Sequence, residues 1–132
     1  MASIRKEALL AAPVEQVWAA LRDVGALHTR LVPGFVTDCI LDDNTRIVTF
    51  ANGMVARELM VDISEAERRV VWSSVGGKMT HHNASAQVFA EGTDATRLVW
   101  IADFLPNEFS DVVSAMIGQG LAAMQRHFSG ST

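Results

Sequence analysis

The chain has 132 residues, of which 49% are hydrophobic, and a formal charge of −4 at pH 7. That length buries a core of its own without disulfides or a structural metal, and the hydrophobic share excludes the charge-dominated composition of a disordered segment. The negative balance and the scatter of the 11 basic residues leave no electrostatic footprint for nucleic acid, and no apolar run reaches the roughly 18 residues that stable membrane insertion needs.

One soluble domain over residues 1–132 is the expectation. Cys39 is the only cysteine, so no internal disulfide can form, and MASIRKEALL has no apolar signal segment; both predict a cytoplasmic protein. Within FVTDCIL, Cys39 reads as a small buried hydrophobe.

In chain order, SIRKEALLA (3–11) suits a first strand. Pro13 then opens a helix, where its missing N–H does no harm, and Val14, Val17, Trp18 and Leu21 recur at helical spacing. A second short helix is predicted from Val24 to Arg30 with Asp23 as N-cap, ended by Val32-Pro33-Gly34. Six strands follow between Phe35 and Leu105: FVTDCIL, TRIVTFA, VARELMVDI, RVVWSSV, THHNASAQVFA and TRLVWIADFL. Asn52-Gly53 is a two-residue hairpin signal, and the short polar links favour consecutive antiparallel pairing. Asn107 to Phe128 is the closing helix, capped by Asn107, with apolar residues at 109, 112, 113, 116, 117, 121, 124 and 128 along one broad face. The predicted class is α+β: a curved seven-stranded antiparallel sheet wrapped around a long C-terminal helix, two short helices after strand one, and a pocket between sheet and helix.

The strand GMVARELMVDI (53–63) poses a question. Alternate side chains share a face, so Arg57 stands with Val55, Leu59, Val61 and Ile63. If that apolar face turns inward, the guanidinium must meet a carboxylate, water or an anionic ligand. Two readings stand: a structural arginine that snorkels or forms a salt bridge, or a donor fork for a carboxylate, enolate or carbonyl oxygen of a ligand. Glu58 is then predicted to face solvent.

This order, with APVEQVW after strand one, the GG step after WSSV, a strand ending in DFLP and the long last helix, resembles the START-like superfamily of helix-grip proteins. The likeness is nearest to its bacterial polyketide cyclase/dehydrase-like and lipid-transport group, and more distant to plant abscisic-acid receptors and lachrymatory-factor synthase. It covers essentially the whole chain. Members bind lipids, hormones or polyketides and only some are enzymes, so the resemblance implies a fold rather than a reaction. By analogy with the plant receptors it implies that Arg57, Leu59, Trp72, Ser74, His82, Ala84, Ala86, Val99, Ile101 and Asp103 point inward. Arg57, His82 and Asp103 would then be the ionisable groups of a mainly apolar cavity. The receptors' gate loop Ser-Gly-Leu-Pro-Ala is absent, which argues against signalling through that latch.

Spacing alone does not orient Asp103, because Leu98, Trp100, Ala102 and Phe104 on the other face are as apolar as Val99 and Ile101; its inward side rests on the resemblance. Facing inward, it would pair with Arg57 or serve as a general base. His81 and His82 are adjacent and point to opposite faces, so they cannot share a metal, and no HExxH or spaced ligand set accompanies them. No metal or other cofactor is expected. His82 lies beside Ala84, Ala86 and Val88, whose small size leaves space; it reads either as a hydrogen-bonded core histidine or as a donor or proton shuttle for a ligand. Trp72, Trp100, Met116 and Met124 are core or ligand wall. Gly118 and Gly120 each cost a helix roughly 1 kcal/mol relative to alanine, so a kink or the close approach of sheet or ligand must explain them; Met116 and Gly120 join the predicted ligand contacts. No GxSxG, GxGxxG or P-loop is present.

Three functions fit these readings. The first is a module that binds, carries or senses a small hydrophobic molecule with one polar or acidic end. The second is an enzyme of the cyclase, dehydratase or isomerase kind, in which Arg57 stabilises an enolate while His82 or Asp103 moves a proton. The third is a non-catalytic interaction protein, a homodimer among its forms, using an apolar rim from Leu31 to Phe35.

Overall fold

A computed structural model describes residues 1–129. Seven strands, β1 (Ala2–Leu10), β2 (Val36–Asp42), β3 (Thr45–Phe50), β4 (Val55–Ser64), β5 (Arg69–Val75), β6 (His81–Ala90) and β7 (Thr96–Leu105), form one sheet in the order β1-β7-β6-β5-β4-β3-β2. Every neighbouring pair is antiparallel. The short turns between β2 and β7 dictate that meander, and helix α1 (Val14–Arg22) with the turn after it carries the chain from β1 on one edge to β2 on the other. Helix α2 (Ser110–His127) buries Val113, Ile117, Leu121 and Met124, spaced three or four apart, against the inner face of the sheet. Lys6 Nζ ties β1 to that helix by donating to Ser114 O at 3.0 Å.

Two predicted caps and one helix differ. Val24–Arg30 is not an α-helix; a π-helical turn spans Leu27–Leu31, and Asp23 ends α1 instead of capping a new helix. The reason is that the Val24 carbonyl is engaged from outside, by Arg46 Nη1 at 3.2 Å and by the Cys39 thiol at 3.6 Å, while the Asp23 carboxylate accepts from Arg30 Nη1 at 2.9 Å. Asn107 opens a single 3₁₀ turn, Asn107–Phe109, without a side-chain cap, and α2 proper begins at Ser110.

The inner face is decided by the β3–β4 hairpin. Phe50 N–H donates to Met54 O at 2.8 Å, closing a three-residue loop in which Gly53 takes φ +90°, a conformation that glycine adopts without a Cβ penalty. Position 46 therefore pairs with 58, and 48 with 56. The two-residue reading of Asn52-Gly53 would have placed Val48 opposite Arg57, and a slip of one residue turns every side chain to the other face. Val48 is buried in the core, so its neighbours Arg46, Ala56, Glu58 and Met60 turn inward with it and Arg57 turns out.

Candidate functional site

The register brings one arginine and one glutamate into the interior. Arg46 and Glu58 are directly opposite on β3 and β4, only 3% and 7% exposed, and Arg46 Nε donates to Glu58 Oε1 at 2.7 Å. Arg46 Nη1 also donates to Val24 O, and its guanidinium lies over the Trp72 ring, 5.3 Å from the centroid. A carboxylate, a carbonyl and an aromatic face together offset the desolvation that an isolated guanidinium could not bear. Glu58 Oε2 and Arg46 Nη2 have no hydrogen-bond partner among the described residues, and both residues line the cavity beneath α2.

That cavity has a volume of about 60 Å³. Its walls are apolar side chains of the sheet, the π-helical turn and α2, with Trp72, Trp100, Phe35, Phe50 and Met124 among them. Trp72 and Trp100 meet edge to face, with centroids 5.9 Å apart, and Phe35 and Phe50 do the same at 5.3 Å. Gly120 is required here: a Cβ on it would lie 2.7 Å from Cζ3 of Trp100 and 3.3 Å from Phe35. Close approach of the sheet, one of the two reasons predicted for a glycine in this helix, is the one observed. Gly118 meets only Lys6 Nζ, at 3.6 Å.

The sequence-predicted residues divide. Trp72 and Ala86 line the cavity, Gly120 abuts its Trp100 wall, and Ala84 is buried on the same face of β6. Arg57 and Leu59 are a correction, since both are exposed on the outer face of β4. Glu58, expected in solvent, is buried. Val99, Ile101 and Asp103 are a second correction: Trp100, which lines the cavity, and its alternates Leu98, Ala102 and Phe104 face inward, so these three turn away and Asp103 meets neither Arg57 nor the cavity. Met116 is half-buried and lies off the cavity, where Met124 takes the expected place. The apolar rim from Leu31 is a third correction, because Leu31 and Val32 are themselves core. Cys39 is buried, and burial pushes its thiol up against the pull of the Arg46 guanidinium, which suits an unreactive packing role.

His82 faces inward but belongs to a different depression. With Ser73, Ser74, Met79, His81 and Asn83 it lines an open polar hollow of about 350 Å³ at the β5–β6 turn. Its Nδ1 accepts from the Ser74 backbone N–H at 2.9 Å, so the neutral ring carries its proton on Nε2. Burial, and the neighbouring His81 after it, hold its pKa below the usual histidine value. The unfolded chain therefore binds that proton more readily than the folded one. Stability from the neutral ring is present above the unfolded pKa of about 6.5 and lost as pH falls through the lower folded value. Urea titrations between about pH 7.5 and 5 are expected to show a steeper loss of stability for the wild type than for His82→Asn; parallel slopes would remove His82 as the cause.

An antiparallel sheet closed on a C-terminal helix over an apolar cavity defines a START-like helix-grip protein. More particularly, the chain belongs to the polyketide cyclase / dehydrase and lipid transport family, whose profile matches residues 1–129. Among solved structures it is similar to protein XoxI from Bacillus cereus, with TM-score 0.88 and 19% identity, covering 98% of this chain and 97% of that one. It is also similar to norcoclaurine synthase from Thalictrum flavum, solved in complex with dopamine and hydroxybenzaldehyde, with TM-score 0.72 and 21% identity, covering 97% of this chain and 84% of that one. The di-domain ARO/CYC BexL from the BE-7585A biosynthetic pathway gives TM-score 0.84 and 14% identity, covering 98% of this chain and 47% of BexL. At these identities the likeness is one of fold. No curated protein sequence matches the chain. Among the described residues, no helix is long and apolar enough to cross a membrane.

Proposed function

We propose that the chain binds a small hydrophobic molecule with one uncharged polar end in the cavity beneath α2. The apolar body would rest against Trp72 and Trp100, and the polar end on the Arg46–Glu58 pair. One observation carries this reading: the charges lining the cavity are already paired with each other, and the Arg46 Nη2 donors and the Glu58 Oε2 acceptor have no hydrogen-bond partner among the described residues. A hydroxyl, phenol or primary amide accepts from the first and donates to the second. A carboxylate would confront Glu58, so the acidic end admitted by the sequence gives way to a neutral one. The empty space is below the roughly 150 Å³ that holds a benzene, so entry requires the walls to part. Of the lining elements, the π-helical turn and Phe35 lie outside the paired strands of the sheet.

Quenching of tryptophan fluorescence by 2-naphthol, 2-naphthoate and naphthalene tests this. Naphthol is expected to bind at least about tenfold more tightly than naphthoate, a difference of about 1.4 kcal/mol. The Arg46→Leu/Glu58→Leu variant should lose the preference of naphthol over naphthalene. Equal affinity for naphthol and naphthoate, or a preference that survives the double variant, would sink the polar anchor.

A second reading, a lyase or isomerase acting on such a molecule, is favoured by the free Glu58 Oε2, which stands where it could take a proton from a bound C–H or O–H. Under it, deuterium exchange into an acidic C–H of a bound ligand should stop in Glu58→Gln while binding persists.

A further inference from the structure

Three of the four apolar residues of β4 that read as a core face in the sequence lie on the outside of the sheet; the register shift after Met60 sets the fourth, Ile63, opposite the core residue Val70. Val55, Leu59 and Val61 remain 59%, 40% and 52% exposed. Pairing extends the patch sideways, because Ile40, Ile47, Arg57 and Val75 form one row across β2, β3, β4 and β5, with Ile40 54% and Val75 40% exposed. The helix α2 covers the opposite face, and no helix among the described residues covers this one. A contiguous apolar patch of this breadth marks an interaction surface. Its chemistry says what fits. Arg57 stands in the middle without an ion-pair partner among the described residues. Asp38 and Asp42, exposed on the same face, flank Ile40 on the edge strand β2.

We propose that this face is the interface of a homodimer. A two-fold axis along β3, lying in the plane of contact, lays β4 of each copy over β2 of the other. Arg57 then meets the second copy's Ile40, with that copy's Asp38 and Asp42 two residues to either side, about 7 Å along the strand and within reach of an arginine. The contact is isologous: each copy supplies one guanidinium to two carboxylates and receives the same in return, while the apolar residues are covered between them. A partner of one charge sign would leave either Arg57 or the two aspartates unanswered; a second copy answers both. The surface is on the far side of the sheet from the cavity, so this inference is independent of the ligand.

Sedimentation velocity of the full chain between about 1 and 500 μM should show the dimer mass at the upper end. Leu59→Glu and Arg57→Asp are each expected to weaken the dimer about tenfold or more, with circular dichroism unchanged and with no change of melting temperature at about 1 μM, where the chain is monomeric and both positions are exposed. Adding Asp38→Arg and Asp42→Arg to Arg57→Asp should restore it. A wild type that stays monomeric throughout, or a dimer that Leu59→Glu leaves intact, as pairing through the free edge of β2 would be, overturns the proposal.

Discussion

Glu58→Ala is expected to destabilise the protein by about 3–5 kcal/mol, because it strips the carboxylate from a guanidinium that is 3% exposed and leaves a buried charge facing one carbonyl and one ring. In urea the midpoint should fall with the slope unchanged, and the melting temperature should drop by roughly 10 °C or more. Arg46→Leu/Glu58→Leu removes both charges and is expected to recover most of that loss, since a paired charge taken out of water contributes little beyond an apolar pair of similar volume. The two results separate stability from function: the double variant keeps the fold and loses the polar end of the cavity. A loss below about 1 kcal/mol for Glu58→Ala would mean that water reaches the pair, as it does for surface salt bridges.

The same pair shows what was legible in the sequence and what was not. Strand count, the consecutive order of β2 to β7 and the closing helix follow from turn residues and periodicity, and all seven strands stand where the polar links divide the chain; the pairing of β1 with β7 carried no local signal. Gly120 announced itself because glycine in a helix interior needs a reason. The face of β4 did not, because Val55, Leu59 and Val61 on its outer side are as apolar as a core face, and hydrophobicity has no sign that separates an inner face from an outer one. The loop between β3 and β4 held the answer. A loop of Ala51, Asn52 and Gly53 pairs Arg46 with Glu58, opposite charges facing each other across two strands; a loop of two residues pairs Arg46 with Leu59. Complementary charge was the signal for choosing between them. In β7 no such signal exists, since both faces are apolar, and only packing against α2 orients Trp100.

That packing makes Gly120→Ala the other large effect expected. Alanine improves helix propensity by about 1 kcal/mol, and at Gly118, where an added Cβ meets only the flexible end of Lys6 at 3.6 Å, the gain should be realised. At Gly120 the same methyl lands 2.7 and 3.0 Å from two ring atoms of Trp100 and 3.3 Å from Phe35. Neither is a loose chain end: Trp100 is braced edge to face against Trp72, and Phe35 against Phe50. Overpacking of this kind costs about 1–3 kcal/mol, so the two alanine substitutions should move the urea midpoint in opposite directions. The ring can yield into the cavity that it lines, and Gly120→Ala is therefore expected to weaken naphthol binding as well. Trp100→Leu removes the obstruction; in that background Gly120→Ala should turn neutral or stabilising, a change of sign that mere loss of helix flexibility would not produce. Equal shifts for Gly118→Ala and Gly120→Ala would show that Trp100 does not press on the helix backbone, and that the cavity is not bounded where these two residues meet.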